Sequence, residues 1–219
     1  HTDSPCLMVK PQPEMLNNKY FQLGVEVYGG ALLNPWFDRD LSLAGRLVYS
    51  DVSGQLKQKL VNFDEAIAII PSLAIHLDRT ANKDRTINSQ TDIPPILMQA
   101  EETTDFRELL AQHFLSDNEK VMDYELCFYD VQGAATVGLK KEFFAAARLD
   151  NLLSCFVATK ALIDADTVST SVLVCNDHEE VGSVSSVGAD GPFLESVVDR
   201  LCNDLCPDKR ASNKARVLD

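Results

Sequence analysis

Ser171-Val-Leu-Val-Cys-Asn-Asp-His-Glu-Glu-Val-Gly-Ser183 is the stretch on which the reading of this chain turns. Val172 to Cys175 reads as a buried strand that ends abruptly in four ionisable residues, Asp177, His178, Glu179 and Glu180. A short β-rich apolar run of this kind fits a strand covered on both faces. Gly182-Ser183 then signals a turn. In open α/β sheets, ligands and catalytic groups gather beyond the carboxyl ends of the strands. Three acids and a histidine in that place repel one another unless solvated, protonated or bound to a cation. The alternative is a solvated acidic loop.

Helical patterns flank the stretch. From Arg148 to Ile163 an apolar face recurs at Leu152, Leu153, Phe156, Val157, Ala161 and Leu162, with Asp150 or Asn151 placed to cap the helix start. Phe193 to Leu205 reads as a second helix with Leu194, Val197, Val198 and Leu201 inward. Helix, strand, helix is the order expected of a sheet with helices packed on its faces. Asp150 as a plain N-cap is the simpler account of that residue.

Earlier in the chain the pattern differs. Tyr20 to about Leu77 is mainly strand-like, with turns expected at Gly24, Gly29-Gly30, Gly45 and Ser53-Gly54. Residues 80–95 are polar and read as a long loop. Helices are expected around Phe106 to Phe114 and over 116–123, the second capped by Ser116 with Glu119 three residues on. Tyr124 to Val131 returns to a strand. The chain opens on His1-Thr-Asp-Ser-Pro-Cys-Leu-Met-Val-Lys10, with no initiator methionine, so residues before His1 are expected in the native protein. A histidine and an acid one residue apart before a strand resemble the end of a metal-site strand. Taken alone, an exposed terminus with an incidental histidine is the better account of them.

Composition narrows the classes. At 219 residues and 45% hydrophobic, the chain can bury the core of one large or two small domains. Its formal charge of −13, from 33 acidic against 20 basic residues, argues against nucleic acid or an anionic membrane as partner. No apolar stretch is long enough to span a bilayer and no signal-peptide pattern opens the sequence. Six cysteines in mostly apolar contexts, with no CxxC pair, suit reduced core thiols of a cytoplasmic protein better than a disulfide framework or a cysteine-ligated zinc.

Five segments, in order, carry a resemblance: His1-Thr-Asp-Ser-Pro-Cys-Leu7, Trp36-Phe-Asp-Arg-Asp-Leu-Ser-Leu-Ala-Gly-Arg46, Ile70-Pro-Ser-Leu-Ala-Ile-His-Leu77, Arg148-Leu-Asp-Asn-Leu152 and Asp177-His-Glu-Glu-Val-Gly-Ser183. Together they resemble the aspartyl aminopeptidase family of dinuclear zinc exopeptidases, which remove N-terminal residues from peptides. The resemblance implies an α/β catalytic domain with a mixed sheet from residues 1–10 and 146–219, interrupted by a β-rich dimerisation domain over 11–145. It implies dimers that assemble into a dodecameric shell admitting short peptides.

The resemblance also implies roles. His1 is similar to the imidazole ligand of one zinc, Asp150 to the carboxylate bridging two metals and Glu180 to a further ligand. Glu179 resembles the general base, and Asp3 the group that orients His1 through its other ring nitrogen. His76 is similar to a histidine that reaches the active site of a neighbouring subunit. Asp38, Arg39 and Asp40 read as a structural charged cluster. Co2+ or Mn2+ could replace Zn2+ at nitrogen and oxygen ligands. The family's remaining ligands, an aspartate and a histidine, have no matching motif before Asp219, and His178 reads as a loop residue. A continuation beyond 219 is therefore expected, and inactivity of this piece alone. Two other classes compete: a catalytically silent shell or peptide-binding scaffold, which the missing ligands favour and the Glu179-Glu180 pair opposes, and a calcium or magnesium carboxylate site, which suits the acids but not His1.

Overall fold

The computed structural model describes residues 1–166 and 170–205, so Cys206 lies outside the described residues. The described residues divide into two compact units, one of residues 5–133 and one of residues 1–4 with the described residues from 134 on.

The first unit is built from alternation. Strands β1 (Cys6–Asn17), β2 (Tyr20–Tyr28), β3 (Leu41–Ser50), β4 (Leu56–Asn62), β5 (Ile96–Gln99) and β6 (Lys120–Asp130) form one sheet in the order β4-β3-β6-β1-β2-β5. Every pairing in it is antiparallel. Leu7 and Val9, Phe21, Leu23 and Val25, Leu41 and Leu43, and Leu126 and Phe128 recur at period two and are buried. Helix α1 (Phe106–Phe114) adds Phe106 and Leu110 to that core. Asp105 starts α1, its carboxylate accepting the Glu108 backbone N–H at 3.1 Å. Pairing of β1 with β2 slips between Val9 and Glu14, where Pro11 and Pro13 offer no N–H to a ladder.

Several sequence expectations change here. Gly24 and Gly45 sit inside strands rather than turns. At Gly45 the reason is close approach, since a Cβ there would lie 2.1 Å from the Glu125 carbonyl oxygen. Residues 116–123 form no helix: Ser116 to Glu119 is a turn, closed by the Glu119 carboxylate accepting the Ser116 N–H at 2.9 Å, and β6 begins at Lys120. The cap chemistry is present, but β3 takes the following residues into its ladder. Thiols are half-buried or exposed rather than core, and the five described cysteines form no disulfide.

The second unit holds a small hairpin, β7 (Ala135–Val137) with β8 (Phe143–Ala145), then α2 (Leu149–Asp164) and α3 (Pro192–Leu205). The strand expected at Val172 to Cys175 is not formed, and no mixed sheet is present among the described residues. A strand exists only where a neighbour completes its ladder, and among the described residues the backbone of 171–176 gains one such bond, from the Thr2 N–H to the Asn176 carbonyl at 2.8 Å. Val172 and Val174 are accordingly 58% and 42% exposed. The apolar face of α2 is likewise open, with Phe156 64% and Val157 55% exposed, and Leu201 of α3 is exposed too. Periodicity states which face seeks cover; it does not supply the cover. No helix among the described residues is long and apolar enough to cross a membrane.

Candidate metal centre

Asn151 is the anchor of the site. It lies in the first turn of α2, 2% exposed, and its side-chain amide donates to the carbonyls of His1, at 3.1 Å, and Asp3, at 3.0 Å. Its own amide oxygen accepts the Ser4 hydroxyl at 3.3 Å. The Cys155 thiol, one helical turn further, donates to the same His1 carbonyl at 3.2 Å. Thr2 points its N–H the other way, to Asn176. These bonds hold His1–Ser4 against the start of α2 on one side and the 176–180 segment on the other.

α2 begins at an Arg148 held in the left-handed region, φ 65°, so Asp150 is not the cap but the second residue of the helix. There its carboxylate stands exposed beside the histidine. Glu179 and Glu180 are carried not by a strand end but by a short 3-10 turn, Glu179–Val181, bracketed by left-handed residues His178 and Gly182. The His178 ring is fixed by Ser185, 2.7 Å from Nδ1 to the hydroxyl, which supports its reading as a loop residue.

Asp3 joins the two halves. Its Oδ1 lies 3.1 Å from His1 Nδ1 and accepts the Glu179 N–H at 3.1 Å, while Oδ2 accepts the Glu180 N–H at 3.1 Å. A histidine whose Nδ1–H donates to a carboxylate presents the lone pair of Nε2 to the other side. On that side one ligand atom each from His1, Asp150 and Glu180 fall within 4.8 Å of one another. The Glu179 carboxylate stands 3.3 Å from Nε2 and its side chain is 54% exposed, open to an incoming molecule.

One imidazole and two carboxylates in this spacing suit a divalent cation such as zinc. With Asp3 and Glu179 added, four carboxylates surround a single imidazole, and such a concentration of negative charge is relieved by a cation. The donor set therefore fits a metal. A bare acidic loop leaves unexplained why Asp3 spends its oxygens on ordering His1 and both glutamate N–H groups.

Sequence reading named His1, Asp3, Asp150, Glu179 and Glu180, and the fold brings these together. His76 lies in an exposed turn, residues 75–77, of the unit of residues 5–133. Asp38 and Arg39 make structural bonds, Asp38 accepting the Ser72 N–H at 2.8 Å and Arg39 meeting Gln132 at 2.7 Å. That backbone bond from Ser72 holds the Asp38 carboxyl below its ordinary value. In the sequence Asn151 reads only as a helix cap. Its adjacency to Asp150 was the one signal available, because a buried amide that bridges two distant carbonyls has no pattern of its own.

Comparison with known proteins bears on this site. Residues 1–217 match the family model described as aminopeptidase I zinc metalloprotease (M18). A protein of Ectopseudomonas mendocina called a probable M18 family aminopeptidase 2 is 59% identical over 207 residues, covering 92% of this chain and 48% of its own length. Among solved structures, the cryo-EM structure of the Ape4 and Nbr1 complex aligns with TM-score 0.82 and 36% identity, over 93% of this chain and 44% of that one. The S. cerevisiae mApe1 dodecamer aligns with TM-score 0.70 and 29% identity, over 91% and 47%. The chain thus spans about half the length of the curated relatives it matches.

Proposed function

The chain belongs to the aminopeptidase I zinc metalloprotease family (M18), and on that premise we propose that the complete protein is a zinc-dependent aminopeptidase releasing the N-terminal residue of short peptides. The observation that carries this is the convergence of His1, Asp150 and Glu180 beside an exposed Glu179, with His1 and both glutamates bonded to Asp3.

His1 Nε2, Asp150 and Glu180 would hold the metal, Asp150 offering a carboxylate with two donor oxygens. Zinc supplies Lewis-acid polarisation of a carbonyl and makes water more acidic. Co2+ or Mn2+ are the substitutes to try. Glu179 acts as general base: its carboxylate takes the proton of the attacking water and returns it to the departing amine. Asp3 fixes the imidazole and the backbone of both glutamates, so that neither drifts when substrate enters. Aspartate and glutamate are the N-terminal residues to assay first.

Residues 11–145 would serve as an inserted dimerisation domain between the catalytic segments 1–10 and 146–219. The protein would assemble through dimers into a dodecamer, the state in which the S. cerevisiae relative was solved. His76 would then act on substrate in a neighbouring subunit, and His76→Ala should lower turnover in intact oligomers. A cytoplasmic setting fits the reduced thiols.

The test is elemental analysis of the complete protein together with release of N-terminal residues from short peptides. Two zinc ions per chain and chelator-sensitive cleavage are expected. Firm absence of both would leave a silent or peptide-binding scaffold instead.

A further inference from the structure

We propose that Cys6 and Cys127 form a reversible oxidation site, a disulfide that staples β1 to β6. The two strands pair antiparallel with Leu7 opposite Phe128 and Met8 opposite Cys127. Cys6 therefore stands diagonal to Cys127, and alternation puts both on the face opposite the buried Leu7, Leu126 and Phe128. Their sulfurs are 3.0 Å apart, the Cys6 S–H directed at Cys127 Sγ. A disulfide bond is about 2.05 Å long, so closure needs roughly 1 Å of approach. Rotation of the two side chains, with a small local adjustment of the paired strands, would close it.

Both thiols are half-buried, within reach of a small oxidant. The co-reactant is a low-molecular-weight disulfide such as oxidised glutathione. The thiolate of one cysteine attacks a sulfur of that molecule, forming a mixed disulfide and releasing one small thiol. The second cysteine then attacks the protein sulfur, forming the Cys6–Cys127 bond and releasing the other small thiol. Two protein thiols are oxidised, one small disulfide is reduced, and both protons leave with the released thiols.

The other described pair, Cys155 and Cys175, differs. Its Cys155 thiol is already engaged, donating to the His1 carbonyl at 3.2 Å.

The experiment treats the complete native protein with oxidised glutathione, blocks remaining thiols and maps peptides without reduction. A peptide pair joined through Cys6 and Cys127, released by dithiothreitol, is the expected result. The melting transition should rise by about 5–10 °C on oxidation, because the bond closes a long loop. The rise should vanish in Cys127→Ser and, independently, in Cys6→Ser. Recovery of both residues as blocked thiols, as stable glutathione adducts, or only in bonds to other cysteines would overturn the proposal.

Discussion

Asp3 and Glu180 are 177 residues apart in sequence, yet the Asp3 carboxylate accepts the Glu180 backbone N–H at 3.1 Å while its other oxygen reaches His1 Nδ1, also at 3.1 Å. One side chain thus sets the spacing between two of the proposed metal ligands. Charge-assisted bonds of this type are stronger than neutral ones, and the Asp3 side chain is only 8% exposed, which limits competition from water.

Asp3→Asn is expected to weaken zinc binding about 10- to 100-fold, the usual effect of removing a partner behind a metal-ligating histidine. Competition against a chromophoric chelator measures it directly. Unchanged affinity would mean that His1 and the glutamate turn are ordered without Asp3.

Glu179→Gln separates binding from chemistry. Glutamine keeps the shape but cannot take a proton, so the complete enzyme should retain its zinc and lose about 10²- to 10⁴-fold in turnover. Loss of metal along with activity would make Glu179 a ligand rather than the base.

Asn151→Ala tests the anchor. It leaves the His1 and Asp3 carbonyls without the amide that serves both, and a buried polar group losing its partner costs about 1–3 kcal/mol. Urea unfolding should show a lower midpoint, and zinc affinity should fall with it. Stability unchanged within error would assign the amide no structural weight.

Tyr124 gives a pH prediction. Partial burial pushes its phenol up to about 12, and its hydroxyl donates to the Lys10 carbonyl at 2.6 Å. An unfolded tyrosine ionises near 10, so the contribution is fully present below about pH 10 and is lost as pH rises through the folded value. Phenolate absorbance should reveal a late-titrating tyrosine that is lost in Tyr124→Phe. The variant should also lose less stability than the parent as the pH is raised from 10 to 12.

How much of this was legible in the sequence follows from the range of each interaction. Helix α1 over Phe106–Phe114 and the α2 region were readable, because period and capping are local properties. So was the identity of the site acids, since Asp177-His-Glu-Glu-Val-Gly is a dense, unusual run. The residues Ser116 to Asp123 misread as a helix because cap chemistry is local, while the ladder to β3 that claims them is not. Val172 to Cys175 misread as a buried strand for the converse reason: its apolar composition is local, but a strand needs a partner's backbone.

By itself the sequence supplied an imidazole and carboxylates whose chemistry suits binding a metal or moving a proton, and their order along the chain. Only tertiary structure decided that His1, Asp150 and Glu180 meet within 4.8 Å, that Asp3 orders both ends, and that Asn151 is buried to hold them. Side-chain chemistry is carried by each residue separately. Geometry between residues 148 to 177 apart exists only once the folded backbone brings them together, and here two carbonyls and one carboxylate do most of that joining.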